Sequence, residues 1–183
     1  MNKISKIFLP VLSRRLIYMD VGARGGIDAI PWSNMLSLID VISFEPEADE
    51  LKRMLARKRE NDQILGTALH RDVLKIPLHV TKAPGCSSLY EPNIDFLKQF
   101  PNVERFDIVN SPTIETNTID QLHRSNVIKD VDFVKLDVQG AELDILEGGK
   151  HFLSKNVLAL EVEIEFQPLY KNQPFFADVD PVV

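Results

Sequence analysis

Cysteine is almost missing from this sequence: Cys86 stands alone among 183 residues. That excludes a disulfide framework and any cysteine metal cluster, and makes a reducing interior the default setting, here the cytoplasm. The four histidines fall in no metal-ligand spacing, so no residue is assigned to a metal. A basic excess is also lacking. With 21 basic against 27 acidic side chains and a net charge of -6, tracking nucleic-acid phosphates is excluded as the main task. At 44% hydrophobic and 26% charged residues, neither a disordered, a fibrous nor a membrane-spanning chain fits. The apolar stretch from Ile7 to Leu12 is short for a signal peptide, is interrupted by Pro10, and precedes no small-residue cleavage pattern. There is no internal repeat, low-complexity tract or evident linker.

What is present suits one domain with a sizeable core. Residues 1–15 form a basic arm, with Lys3, Lys6, Arg14 and Arg15 and no acid before Asp20. It reads first as a helix packed on the domain and second as a contact for a membrane or an anionic partner. From residue 16 to 183 short apolar runs alternate with helical patterns, the rhythm of an α/β protein. Leu16 to Val21, Val41 to Phe44, Ile64 to Leu69, Val131 to Leu136 and Val157 to Phe166 read as strands, and Leu74 to Val80 as an exposed or antiparallel one. Helices are expected over Ile27 to Ile39, over Pro46 to Glu60 with Leu51, Met54 and Leu55 inward, from Thr118 through Ser125, and over Ala141 to Leu146 with Gly148 and Gly149 as the stop. Ala83 to Asn93 reads as loop, and Phe96 to Thr116 carries no legible pattern.

Three features carry chemistry. In Met19 to Ile27, MDVGARGGI, a strand ends at Asp20 and enters a glycine-rich turn. Gly22, Gly25 and Gly26 would let a ligand approach the backbone, and amides at the following helix start favour a carboxylate. A ligand-free tight turn is the plain alternative. The second strand delivers Glu45 23 positions after Gly22, where an acid accepts hydrogen bonds from both ribose hydroxyls; Glu45 and Glu47 also suit a helix start. Together these imply a nucleoside-bearing ligand. The turn is G-x-x-G-G rather than G-x-G-x-x-G, and Asp20 before it would repel a pyrophosphate. An acid there suits a sulfonium or ammonium group, which points to S-adenosylmethionine rather than NAD. Third, the strand before Asp137 delivers that carboxylate to the crevice where open α/β sheets bind ligands. Lys135 within that strand is expected to pair with a carboxylate. Glu142 reads equally as a functional acid or as part of a helix-start acid cluster.

The succession DVGA-x-x-G, FEP, VDFVKLDVQGAE and LEVEIEFQPLY, from about Leu16 to Asp180, resembles the FkbM-type methyltransferases, a branch of the class I S-adenosylmethionine-dependent enzymes. The resemblance implies a doubly wound, mostly parallel Rossmann-like sheet with helices on both faces. It implies Asp20, Gly22, Ala23 and the amides to Gly26 around the methionine moiety, Glu45 and Pro46 at the ribose, Ala68 and Ser88 around the adenine, and Asp137 near the reaction centre. Members act mainly as O-methyltransferases on hydroxyls of small molecules or glycans. Arg24 stands where the family often has Asn. After the fifth strand only residues 167–183 remain, too few for a closing helix and strand hairpin. The sequence therefore leads one to expect either a shortened chain or a sheet closed otherwise, for instance by the edge strand of a second copy.

Methyl transfer to a hydroxyl needs alignment and a base. The candidates, in order, are Asp137, Glu163 and His70. Glu161, Glu163 and Glu165 alternate as one strand face, and Gln167 through Phe176 reads as a mobile flap over the substrate opening. A Rossmann-type nucleotide-binding oxidoreductase and a catalytically silent cofactor-binding scaffold stand as alternatives, separated by parallel binding of S-adenosylmethionine, its demethylated product and NAD.

Overall fold

The computed structural model describes residues 11–26 and 35–183. The apolar runs on either side of the glycine turn pair as parallel strands. β1 (Leu16–Val21) lies against β2 (Ile39–Phe44), with Asp20 opposite Ser43. β3 (Gln63–Leu65) extends the sheet beyond β2. The chain then returns to place β9 (Phe133–Leu136) on the other side of β1, followed by β10 (Ala159–Val162), giving the order β10-β9-β1-β2-β3. All these pairings are parallel. Strand order thus reverses between β1 and β9, and the crevice outside their carboxyl ends is where such sheets take ligands.

Alternation along the strands divides the side chains between two faces. Met19, Val21, Ile42, Phe44, Val134 and Leu136 pack against α3 (Ile119–Arg124), α4 (Glu142–Gly148) and α5 (Lys150–Asn156) through Ile119, Leu122, Ile145 and Phe152. Each such buried side chain contributes roughly 1.5–3 kcal/mol. Tyr18 and Val41 face the other way, onto Leu38 and Ile39 with Leu12, Met35 and Leu36 around them. α1 (Ala48–Leu55) follows β2 and is capped by Glu47, which accepts from the Asp49 and Glu50 amides. Thr118 caps α3 by accepting from the Gln121 amide.

Beyond β3 lies a smaller unit. β4 (Ala68–Leu69) pairs parallel with β8 (Thr113–Asn117), which pairs antiparallel with β5 (Lys75–Pro77); β6 (Val80–Thr81) pairs with β7 (Ile108–Asn110). α2 (Ile94–Leu97) and α6 (Phe176–Val179) are the remaining α-helices among the described residues.

Several expectations change. Residues 64–69 form two short strands in different sheets, and the illegible stretch Phe96 to Thr116 contains β7 and most of β8. Most of the expected helix over Ile27 to Ile39 lies outside the described residues, and Ile39 itself already belongs to β2. The helix after β2 is shorter than expected, and Leu55 is half exposed on it. Gly148 and Gly149 do end α4, with Gly149 as its cap, and a further helix, α5, begins directly after them. Gly148 is small because a Cβ there would meet the His70 carbonyl oxygen at 2.3 Å. The fifth strand stops at Val162. Of the basic arm, Arg14 grips Asp132 at 2.7 and 2.9 Å and Arg15 holds Asp40 at 2.6 Å. These two contacts tie the start of β1 to the sheet. Residues 1–10 lie outside the described part.

Candidate active site

A crevice of about 480 Å³ opens at the carboxyl ends of β1, β2 and β9, within the size range of small-molecule sites. Its floor depends on Gly22, which has φ +82° and where a Cβ would lie 1.9 Å from the Asp137 carbonyl oxygen. Only glycine lets the two loops approach this closely. The walls carry Asp20, Glu45, Pro46, Ala68, Ser88, Asp137 and Glu163, so both proposed catalytic acids and most expected cofactor contacts meet in one place. Thr67, Leu69, Leu78 and Leu89 add a less polar wall that sequence patterning did not single out.

The acids are unequal. Asp20 is 4% exposed and its Oδ1 has no hydrogen-bond partner among the described residues. The nearest cation, Lys135 Nζ, is 3.9 Å away. Burial raises the Asp20 carboxyl to about 6, against the pull of Lys135. Glu45 is equally buried and pushed upward by burial; its Oε1 accepts the Glu47 amide at 2.9 Å, which opposes the shift. Arg24 also favours its ionised form, while reaching Glu47 at 3.6 Å and Glu50 at 3.4 Å.

At the other end Asp137 and Glu163 are hydrogen-bonded to each other. Lys135 Nζ donates to Asp137 Oδ2 at 2.8 Å, the pairing expected for a lysine inside a strand. Alternation explains this contact, since Asp137 follows Lys135 by two residues; across the sheet Lys135 stands opposite Asp20 on β1 and Glu161 on β10. Burial would raise Asp137, but Glu163, Lys135 and Gln139 outweigh it and hold Asp137 below its usual range. Glu163 goes the other way, to about 8, because of its bond to Asp137, its burial and nearby Glu165 and Glu142. Two carboxyls in contact resist double ionisation, so they retain one proton between them near neutrality. The pair can exchange a proton with a hydroxyl placed against it.

Some expected residues have other tasks. Ala23 and Gly26 do not line the crevice. The amides of Gly22 and Ala23 donate to the Phe44 carbonyl, that of Gly26 to the Ala23 carbonyl, and that of Gly25 to Glu50. Those four amides are thus committed within the protein, which corrects the expectation that they await an anion. His70 contacts Asp144 at 3.6 Å and also lies outside the crevice. Glu142 clasps the loop after β9, accepting the Val138 amide at 2.8 Å and the Gly140 amide at 2.9 Å. Glu161 and Glu163 are both exposed, but only Glu161 lies on β10; Glu163 stands just past its end and lines the crevice. The segment expected to be a mobile flap is anchored. Tyr170 is 1% exposed, donates to the Cys86 carbonyl at 2.9 Å and is bridged to Pro92. Gln139 was missed; its only sequence signal was its place between Asp137 and Gly140.

A parallel sheet of this order, with acids at the ends of β1, β2 and β9, defines a class I methyltransferase-like arrangement. The model of the methyltransferase FkbM domain matches residues 20–183. The chain belongs to this family, and membership implies S-adenosylmethionine as cofactor. It is similar to the 2-O-methyltransferase NoeI of Sinorhizobium fredii (strain NBRC 101917 / NGR234), with 27% identity over 170 residues, covering 86% of this chain and 66% of that protein. The chain therefore spans slightly less than two thirds of that relative's length. No solved structure matches it. Among the described residues no helix is long and apolar enough to cross a membrane.

Proposed function

We propose that this chain is an S-adenosylmethionine-dependent O-methyltransferase acting on a hydroxyl of a small molecule or glycan. The observation that carries the proposal is the buried, hydrogen-bond-deficient Asp20 in a crevice it shares with Glu45 and the Asp137–Glu163 pair. Such a lining fits the cofactor: it offers acids to a cationic amino-acid end and to ribose hydroxyls, and it would repel a pyrophosphate. Arg24 and Lys135, the cations in the wall, are both engaged by carboxylates.

Asp20 would hold the cationic methionine end, Glu45 with Pro46 the ribose, and Ala68 with Ser88 the adenine. When bound, the cofactor supplies a methyl carbon activated by positive sulfur. Asp137 and Glu163 orient the acceptor hydroxyl and take up its proton. Gly22 keeps the floor open, and the Glu142 clasp fixes the loop that carries the pair. The proposal takes residues 16–183 as the catalytic domain with 1–15 as its arm, and places it in a reducing interior such as the cytoplasm, in keeping with the single buried thiol of Cys86. Self-association through β10, the edge of the main sheet, belongs to the same reading.

Parallel calorimetric titrations with S-adenosylmethionine, its demethylated product and NAD test it. Binding of the first two and not the third is expected. Binding of NAD alone overturns the proposal in favour of an oxidoreductase. Binding without methyl transfer to any of a panel of glycan and small-molecule hydroxyls favours a silent scaffold.

A further inference from the structure

Gln139 has φ 62°, a left-handed conformation that residues with a Cβ rarely adopt. Three hydrogen bonds hold it there. Ser88 Oγ donates to the Gln139 carbonyl at 2.7 Å, and Glu142 accepts the amides on either side of it, at Val138 and Gly140. A strained backbone held this firmly is a feature of functional sites.

The side chain shows what the strain achieves. A primary amide nitrogen has two hydrogens, and those of Gln139 face two acceptors: Asp137 Oδ1 at 3.1 Å and Glu163 Oε2 at 2.6 Å. Its oxygen is turned to Tyr170, whose hydroxyl lies 3.2 Å away. The single hydrogen of that hydroxyl is shared with the Cys86 carbonyl at 2.9 Å, so Tyr170 does not decide between the two ends of the amide. The acids do: reversed, the amide oxygen would face two carboxyls, and the observed orientation is the one in which both N–H groups reach them.

We propose that Gln139 is a positioning residue that bridges Asp137 and Glu163 and stabilises the doubly ionised form of the pair, the form able to take a proton from an acceptor. Its value to catalysis rests on the methyltransferase proposal; the bridge itself does not. Burial and mutual contact hold a proton on the pair, assisted by Glu142 from α4 and by Glu165 beyond β10, while Lys135 on β9, itself facing Asp20 and Glu161, works against them. The Gln139 amide adds two hydrogen-bond donors on the side of Lys135.

The test is an NMR titration of the cofactor-free chain carrying carbon-13 carboxyl labels, with Glu163→Gln assigning the Glu163 signal. Gln139→Gly suits a positive φ and should fold as well as wild type. In that variant the upper titration step of the pair should move to higher pH by about one unit, a tenfold gain in proton affinity. Gln139→Asn, also tolerant of this backbone but one methylene short, should shift in the same direction. An unchanged upper step in folded Gln139→Gly and Gln139→Asn overturns the proposal. Because no cofactor is present, failure to bind S-adenosylmethionine would leave these outcomes untouched.

Discussion

Replacing Asp20 with asparagine keeps the shape of a buried side chain and removes its charge, and the consequences for stability follow from its position. The carboxyl is raised from 3.8 to about 6, chiefly by burial, with Asp137 and Glu161 adding to the shift and Lys135 opposing it. The folded state thus holds this proton more tightly than the unfolded chain does. Its stabilising contribution is complete below the unfolded value near 4 and is lost as pH rises through about 6. A shift of about two units at roughly 1.4 kcal/mol each makes the ionised acid a burden of about 3 kcal/mol near pH 7. The substituted amide does not titrate. The variant should therefore melt roughly 6–12 °C above wild type near neutrality, given about 2–4 °C per kcal/mol for a chain of this size, and the gap should close towards about pH 4. Differential scanning fluorimetry across that range reads both features. Equal melting temperatures at neutral pH, or a gap that does not change with pH, would refute the reasoning. If Asp20 is retained to meet a cation, S-adenosylmethionine should raise the wild-type melting temperature far more than that of the variant.

Glu45→Gln should weaken binding of S-adenosylmethionine by roughly ten- to a hundredfold, the loss of a charge-assisted hydrogen bond, with little change in melting temperature; calorimetric affinity within twofold of wild type would remove Glu45 from the ribose. Gly22→Ala must place a Cβ 1.9 Å from the Asp137 carbonyl oxygen at φ +82°. Left-handed strain of about 1–2 kcal/mol plus the displaced loop should destabilise the fold by roughly 3 kcal/mol or more, measurable by urea unfolding. If the Asp137–Glu163 pair is the base, methylation should accelerate as pH rises through about 8, where Glu163 ionises. Glu163→Gln should remove that rise and slow the reaction by about a hundredfold or more; a retained rise in the variant would assign the base elsewhere.

The main strands were legible because they are short apolar runs bounded by acids and glycines, and because parallel strands buried on both faces have few other ways to be written. Asp20, Glu45 and Asp137 stand at the ends of such runs, so their place in one crevice followed from chain order and the geometry of parallel sheets. The smaller unit beyond β3 was not legible: β4, β5 and β8 have two, three and five residues, and partners distant in sequence define them more than their own composition does. Glycine was read rightly at Gly148 and Gly149, where α4 ends, and misled at the MDVGARGGI turn, whose amides resemble an open anion site. There the deciding contacts came from elsewhere in the chain, Glu50 and the Phe44 carbonyl.

Local pattern thus named the acids and brought them to one end of the sheet, because strand direction is a property of chain order. It could not say how they differ. Asp20 is raised because it is buried with an unmatched oxygen, Asp137 is lowered because Glu163, Lys135 and Gln139 outweigh its burial, and Glu163 is raised because it lies against Asp137 from just beyond β10. Gln139 joins the last two only because a left-handed backbone and the Glu142 clasp bring its amide to both. Proton affinity is set by distances and burial, and these exist only once the chain has closed on itself.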